Sequence, residues 1–187
     1  KTYVFESVQG NPTLAAQLAK KYANASIIVT AGTLPSQMAM NATKKTPIVF
    51  ISVTDPTLLI KNLKRPEGNI TGVSNYVDIK KQLSYFKTLQ PGLKKIGVIF
   101  NPGEANSVKD MEWLRMIAQE MNLVVVEKTA CKIAEVSVAA QSLANQNIDA
   151  FYIMSDNTAL SAYTSIVRAA GKIPVYVTDV DCLKQGG

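Results

Sequence analysis

The stretch Pro47-Ile48-Val49-Phe50-Ile51-Ser52-Val53-Thr54-Asp55-Pro56 decides the fold. It begins as a continuous apolar run, not an alternating one, which is the pattern of a strand covered on both faces. It ends on a hydroxyl, a carboxylate and a proline. Such residues open helices, because the side-chain oxygen takes an orphan N–H and proline loses nothing at the first helical position. A buried strand that runs straight into a capped helix is the repeating unit of a parallel α/β sheet.

The same unit recurs on either side. Strands are expected at Thr2–Phe5, Ser26–Thr30, Ile48–Ser52, Ile70–Val73, Lys95–Phe100, Leu123–Glu127, Ala150–Met154 and Val175–Thr178. Between them lie helices near Pro12–Tyr22, Pro35–Lys44, Thr57–Lys64, Asp78–Leu89, Ser107–Met121, Ile133–Asn145 and Thr158–Ala170. In the fifth helix Val108, Met111, Leu114, Ala118 and Met121 form one apolar stripe at helical spacing, and Trp113 beside it reads as packing. The rhythm breaks only around residues 75–95. The sequence therefore divides into two parallel-sheet lobes, 1–75 and 76–187, with the boundary near Asn75–Lys81.

Composition narrows the function. The chain has 187 residues, 47% of them hydrophobic and 18% charged, with a formal net charge of +6. Arginine is confined to Arg65, Arg115 and Arg168, and the lysines fall in scattered pairs such as Lys20-Lys21 and Lys80-Lys81. A nucleic-acid reader concentrates arginine and aromatics on one face, so this basicity is read as solvated surface and no nucleic-acid partner is expected. The chain contains no histidine, which excludes Ser-His-Asp and Cys-His catalysis and most zinc sites. No G-x-G-x-x-G fingerprint, P-loop or G-x-S-x-G elbow is found, so no cofactor and no enzymatic activity are expected. Cys131 and Cys182 are too far apart for a CxxC motif. A disulfide between them stays open, and the core is apolar enough to fold without one. No apolar run is long enough to span a bilayer.

In parallel sheets, ligands bind at the carboxyl ends of the strands. Those ends carry Ala31-Gly32-Thr33, Thr54-Asp55, Asn101 through Ser107, Ser155-Asp156-Asn157-Thr158 and Asp179-Val180-Asp181. Each segment alone is an ordinary helix cap. Together they place hydroxyls, amides and carboxylates at one end of nearly every strand. Helix starts suit a carboxylate and the aspartates suit an ammonium, so a zwitterion would use both.

Several motifs also resemble one known family. Pro47 through Pro56 is similar to the PIVF-x-x-VTDP segment of a family of ABC-type solute-binding proteins. Arg65-Pro66-Glu67-Gly68-Asn69-Ile70-Thr71-Gly72-Val73-Ser74 resembles its RPGGN-x-TGVS motif, with Glu67 in place of glycine. The likeness continues through Leu89 to Val98, Asn101-Pro102, Asn106-Ser107 and Gln185-Gly186-Gly187. The resemblance implies a type I periplasmic-binding fold of two Rossmann-like lobes that close on a ligand. It implies further a lipid-anchored or periplasmic, extracytoplasmic protein that passes an amino acid, an aromatic one in several members of the family, to an ABC transporter permease. It also makes the chain a piece truncated at both ends, its first lobe lacking the first strand and helix.

Carried onto this sequence, the expected ligand-binding positions are Thr33, Thr54, Asp55, Ser74, Asn101, Asn106, Ser107, Asp156, Asn157 and Asp179. Thr33 and its neighbouring amides would meet a carboxylate. One of Asp156 and Asp179 would take the amino group. Asp55 serves either the ligand or a helix cap. The alternative reading is the effector-sensing module of a regulator, built on the same fold.

Overall fold

The computed structural model describes residues 2–185, so the expected closing motif Gln185-Gly186-Gly187 extends beyond the described residues. The fold is α/β with parallel sheets throughout. It divides into two compact units, Lys1–Tyr76 and Val77–Gly187.

In the first unit, helix α1 (Pro12–Lys21) starts where Asn11 accepts from the backbone N–H of Thr13 (2.9 Å) and of Leu14 (3.1 Å). It packs on α2 (Thr33–Ala42). Strands β1 (Ile28–Ala31), β2 (Ile48–Val53) and β3 (Ile70–Ser74) form a parallel sheet in that order, with Ile28 opposite Ile48 and Ile48 opposite Ile70. Ala39, Ile48, Phe50, Val53, Leu59, Ile60 and Ile70 make its core.

Three expected elements differ here and in the second unit. Thr2–Phe5 is not a strand; Tyr3 and Phe5 are exposed, and no ladder partner meets them among the described residues. A β-branched and aromatic run becomes a strand only where a neighbour pairs with it. The helix expected at Thr57–Lys64 is a single 3-10 turn, Pro56–Leu58. Asn62 accepts from the N–H groups of Lys64 and Arg65, 3.2 Å each, and Pro66 disfavours helical dihedrals at Arg65, so a turn replaces the helix. The helix expected at Thr158–Ala170 is two, α6 (Asn157–Ser161) and α7 (Tyr163–Ala170), divided at Ala162 (φ −109°, ψ 19°). The break lets α6 lie against the second unit's first strand while α7 buries Tyr163, Ile166 and Ala170.

The second unit runs α3 (Ile79–Leu89), β4 (Lys95–Phe100), α4 (Ala105–Glu120), β5 (Val124–Thr129), α5 (Ile133–Ala144), β6 (Ala150–Ile153), α6, α7 and β7 (Val175–Val177), then a 3-10 segment, Val180–Gln185. The strand order is β5-β4-β6-β7, all parallel. Two cores sandwich this sheet. Ile96, Val98, Phe100 and Tyr152 pack with Leu83 and Phe86 of α3 and with Met111, Leu114 and Ala118 of α4. Ile99, Phe151 and Ile153 pack on the other side with Val136, Leu143, Tyr163 and Ile166. Strand β4 is buried from Ile96 through Phe100 because both its faces are covered, which is why its sequence does not alternate. The apolar stripe of α4 meets this core, and Trp113 packs at its edge.

Polar groups fix the start of the sheet. Asp149 Oδ2 accepts from the N–H of Lys94 (2.9 Å) and Lys95 (2.7 Å), holding the entry to β4 beside the entry to β6. Cys131 and Cys182 are both free thiols, the first exposed and the second buried.

Candidate functional site

In the second unit the chain leaves β4 toward β5 on one side and later returns to add β6 on the other. Such a reversal opens a crevice outside the carboxyl ends of the two central strands. The loops that follow β4 and β6 meet there.

Asp156 is the first anchor. It caps α6 through the N–H of Ala159, 2.7 Å from Oδ1, while Oδ2 accepts from the N–H of Asn101 (2.6 Å) and from the Ser107 hydroxyl. The side chain is 1% exposed. Burial pushes its carboxyl above the ordinary aspartate value, and the nearby charge of Glu104 pushes the same way. The bonds from Ser107, Ala159 and Asn101 act in the opposite sense.

Glu104 is the second anchor, and sequence reasoning passed over it. It occupies the cap position of α4 but makes no side-chain bond to that helix. Instead it reaches the start of α6. Oε2 accepts from the N–H of Asn157 (3.0 Å) and from its Nδ2 (2.6 Å); Oε1 accepts from the N–H of Thr158 (3.1 Å) and from its hydroxyl (2.7 Å). Asn106 Nδ2 donates to Ser155 O (2.7 Å) and reaches Glu104 Oε2 at 3.5 Å. Asn101 closes the ring, its Nδ2 donating to Thr158 Oγ1 (2.9 Å) and its Oδ1 accepting from Gly103 N (2.8 Å). The one local signal for Glu104 was its place inside the loop that also supplies Asn101, Asn106 and Ser107.

Five of the expected positions, Asn101, Asn106, Ser107, Asp156 and Asn157, thus belong to one network. Asp179 follows β7, the neighbour of β6, and is exposed; its carboxylate accepts from Asp181 N at 2.9 Å.

The first unit holds the other four in two places. Thr33 begins α2 and is 5% exposed. Gly32 precedes it at φ 96°, ψ 166°, a conformation that L side chains rarely adopt. No side chain caps α2 among the described residues, which leaves the amides of Thr33 and Leu34 unpaired at its positive end. Ser36 donates to Gly32 O (2.6 Å), so Thr30 must supply the proton of the 2.8 Å contact between their hydroxyls. At the end of β2, Asp55 Oδ1 accepts from Thr57 N (2.9 Å) and Thr57 Oγ1 (2.6 Å), the cap role that sequence left open for it. Ser74 donates to the carbonyl oxygens of Val53 (2.9 Å) and Thr54 (3.2 Å). A bulge between Phe50 and Val53, with Ser52 at φ 54°, sets Val53 and Thr54 inward at this strand end.

Two parallel α/β units with polar side chains in their carboxyl-end loops have the architecture of the type I periplasmic-binding fold. The likeness to a leucine binding protein from Thermotoga maritima shows that fold at 18% identity (TM-score 0.67; 95% of this chain, 53% of that one). More specifically, the chain belongs to the family of ABC transporter substrate binding proteins, whose model matches residues 1–187. It is 36% identical over 188 residues to a tyrosine-binding protein of Clostridioides difficile, covering 97% of this chain and 54% of that one. A conserved domain protein from Vibrio cholerae shares 36% identity at a TM-score of 0.95, over 100% of this chain and 64% of that one. The ABC domain of a Streptococcus pneumoniae protein, solved with L-Trp, shares 29% at 0.88, over 95% of this chain and 64% of its own. The chain therefore spans about half to two thirds of the length of these relatives. The family is one of substrate-binding proteins, not enzymes.

Proposed function

We propose that this chain is the ligand-binding part of an extracytoplasmic, lipid-anchored or periplasmic protein that binds an aromatic amino acid and delivers it to an ABC transporter permease. The observation that carries this reading is the gathering of Asn101, Asn106, Ser107, Asp156 and Asn157 where β4 and β6 end. A site of amides, hydroxyls and carboxylates without a histidine or a metal-binding cluster among the described residues suits recognition of a small polar molecule. The tyrosine-binding and L-Trp-bound relatives point to its class.

In this reading Thr33 and the open amides at the start of α2 suit a carboxylate, because partial positive charge lies there. Thr54, Asp55 and Ser74 line the first unit's strand ends. The ammonium meets Asp179, whose carboxylate is exposed, because Asp156 already spends its oxygens on Ser107, Asn101 and Ala159. Calorimetry of the full-length protein against tyrosine, tryptophan, phenylalanine and leucine tests the reading. Saturable one-to-one binding of at least one aromatic amino acid is expected. Failure to bind any of the four overturns it.

A further inference from the structure

We infer that Glu104 is the positioning residue of the second unit's site: it turns the side-chain amide of Asn157, as the Ser155 carbonyl turns that of Asn106, so that their carbonyl oxygens are left as acceptors for a ligand ammonium. This rests on the reading of an amino-acid ligand given above.

The network fixes which end of each amide is which. Asn157 Nδ2 lies 2.6 Å from Glu104 Oε2, and Asn106 Nδ2 lies 2.7 Å from the carbonyl of Ser155 and 3.5 Å from the same Glu104 oxygen. Reversing either amide would set a carbonyl oxygen against a carboxylate oxygen, and in Asn106 against a backbone carbonyl as well, so the nitrogens are held inward. The Oδ1 atoms of Asn106 and Asn157 then have no donor among the described residues. Asn101 differs. Its Oδ1 takes Gly103 N and its Nδ2 gives to Thr158, so both ends of that amide are used.

Acceptors without donors are complementary to a group with donors and no acceptor, and an ammonium has three N–H bonds and nothing else to offer. Glu104 imposes this polarity because a carboxylate can only accept. It accepts from backbone and side chain of Asn157 and of Thr158 at once, which also locks the start of α6 to the loop after β4. A glutamine in its place that turned its NH2 toward Asn157 would set it against both the N–H and the Nδ2 of that residue. The Asn157 amide would then rotate and offer a nitrogen where the ligand's nitrogen must sit.

The test is selectivity, which loss of structure alone would not move. In the full-length protein, the affinity for tyrosine and for 3-(4-hydroxyphenyl)propionate, which lacks the amino group, is measured by displacement calorimetry before and after Glu104→Gln. Tyrosine affinity is expected to fall about tenfold or more, the scale of one lost charge-assisted bond. The deaminated analogue should change by less than about threefold. Equal losses for the two ligands, or no loss for either, overturn the assignment. If Glu104→Gln fails to fold, Asn157→Ala takes its place. Asn157 is exposed, so its truncation leaves the core intact, and the same selective loss is expected. Wild-type protein that binds neither tyrosine nor any other aromatic amino acid overturns the proposed function, and this inference with it. Wild-type binding with an unselective Glu104 variant overturns this inference alone.

Discussion

At the scale of the residue, Asp156 and Asp179 separate by what already touches them. Asp156→Ala would leave Ser107 Oγ and the N–H groups of Asn101 and Ala159 without acceptors in a site that is 1% exposed. At about 1–3 kcal/mol for each stranded donor, a loss of roughly 3 kcal/mol or more follows, or about 6–12 °C in melting temperature. Asp179→Ala loses one exposed contact to Asp181 N and should leave the melting point nearly unchanged. Its effect belongs to the ligand: at least about thirtyfold in affinity by calorimetry, the consequence of leaving a bound cation unpaired. The opposite assignment of the two effects would make Asp156 the ligand group. The acidity of Asp156 gives a second check. Burial, chiefly, holds its carboxyl above the ordinary 3.8, so the folded chain binds this proton more tightly than the unfolded chain does. The stability it contributes is greatest below the unfolded value and falls as pH rises through the folded one. A carboxyl-detected NMR titration should place its midpoint above 3.8, and a midpoint below that contradicts the burial argument. Asn101, Asn106, Ser107, Asp156 and Asn157 were legible in the sequence because polar residues after an apolar run are a local signal. Glu104 was not, since the groups it holds lie some fifty residues further on, at Asn157 and Thr158.

At the scale of the element, buried parallel strands were legible because their apolar runs do not alternate, and β4 shows why: each face has its own core. The elements that sequence misjudged are those where a partner decides. Thr2–Phe5 has strand composition and no neighbouring strand. In Thr57–Lys64 the apolar Leu59 and Ile60 reached the core without a helix, because Asn62 and Pro66 favour a turn. Gly72 in β3 illustrates a constraint that only the pairing reveals. A Cβ added there would stand 2.0 Å from the carbonyl oxygen of Phe50 and 2.5 Å from its Cγ. The oxygen is backbone in the neighbouring strand, so the ladder itself would have to part. Gly72→Ala should therefore destabilise the protein by roughly 1–3 kcal/mol, the ordinary cost of overpacking. Urea denaturation checks it, and a midpoint within error of the wild type would show that β2 and β3 are not paired in this register.

At the scale of the whole molecule, the two units are unequal in what they bury. The second has a four-stranded sheet with an apolar core on each face, so its central strands β4 and β6 are buried almost throughout while the edge strands β5 and β7 are half-buried. The first has three strands and one small core; on the other face of its sheet Val29 is 63% exposed, Ile51 43% and Val73 67%. Apolar area removed from water is the main favourable term in folding, and it must offset an entropy cost of about 1–2 kcal/mol for every ordered residue. A sheet buried on one face meets that cost for half of its side chains. A sheet with a core on both faces meets it for both faces of its central strands, and the second unit's length falls in the ordinary range for an independent domain. Residues 77–187 produced alone should therefore fold, with a mixed α/β circular dichroism spectrum and a cooperative urea transition worth about 5–10 kcal/mol. Residues 1–76 produced alone should show no such transition, and should bind a hydrophobic dye through the face that carries Val29, Ile51 and Val73. A broad, non-cooperative transition from 77–187, or a sharp one from 1–76, would mean that stability in this chain does not follow the distribution of buried apolar surface.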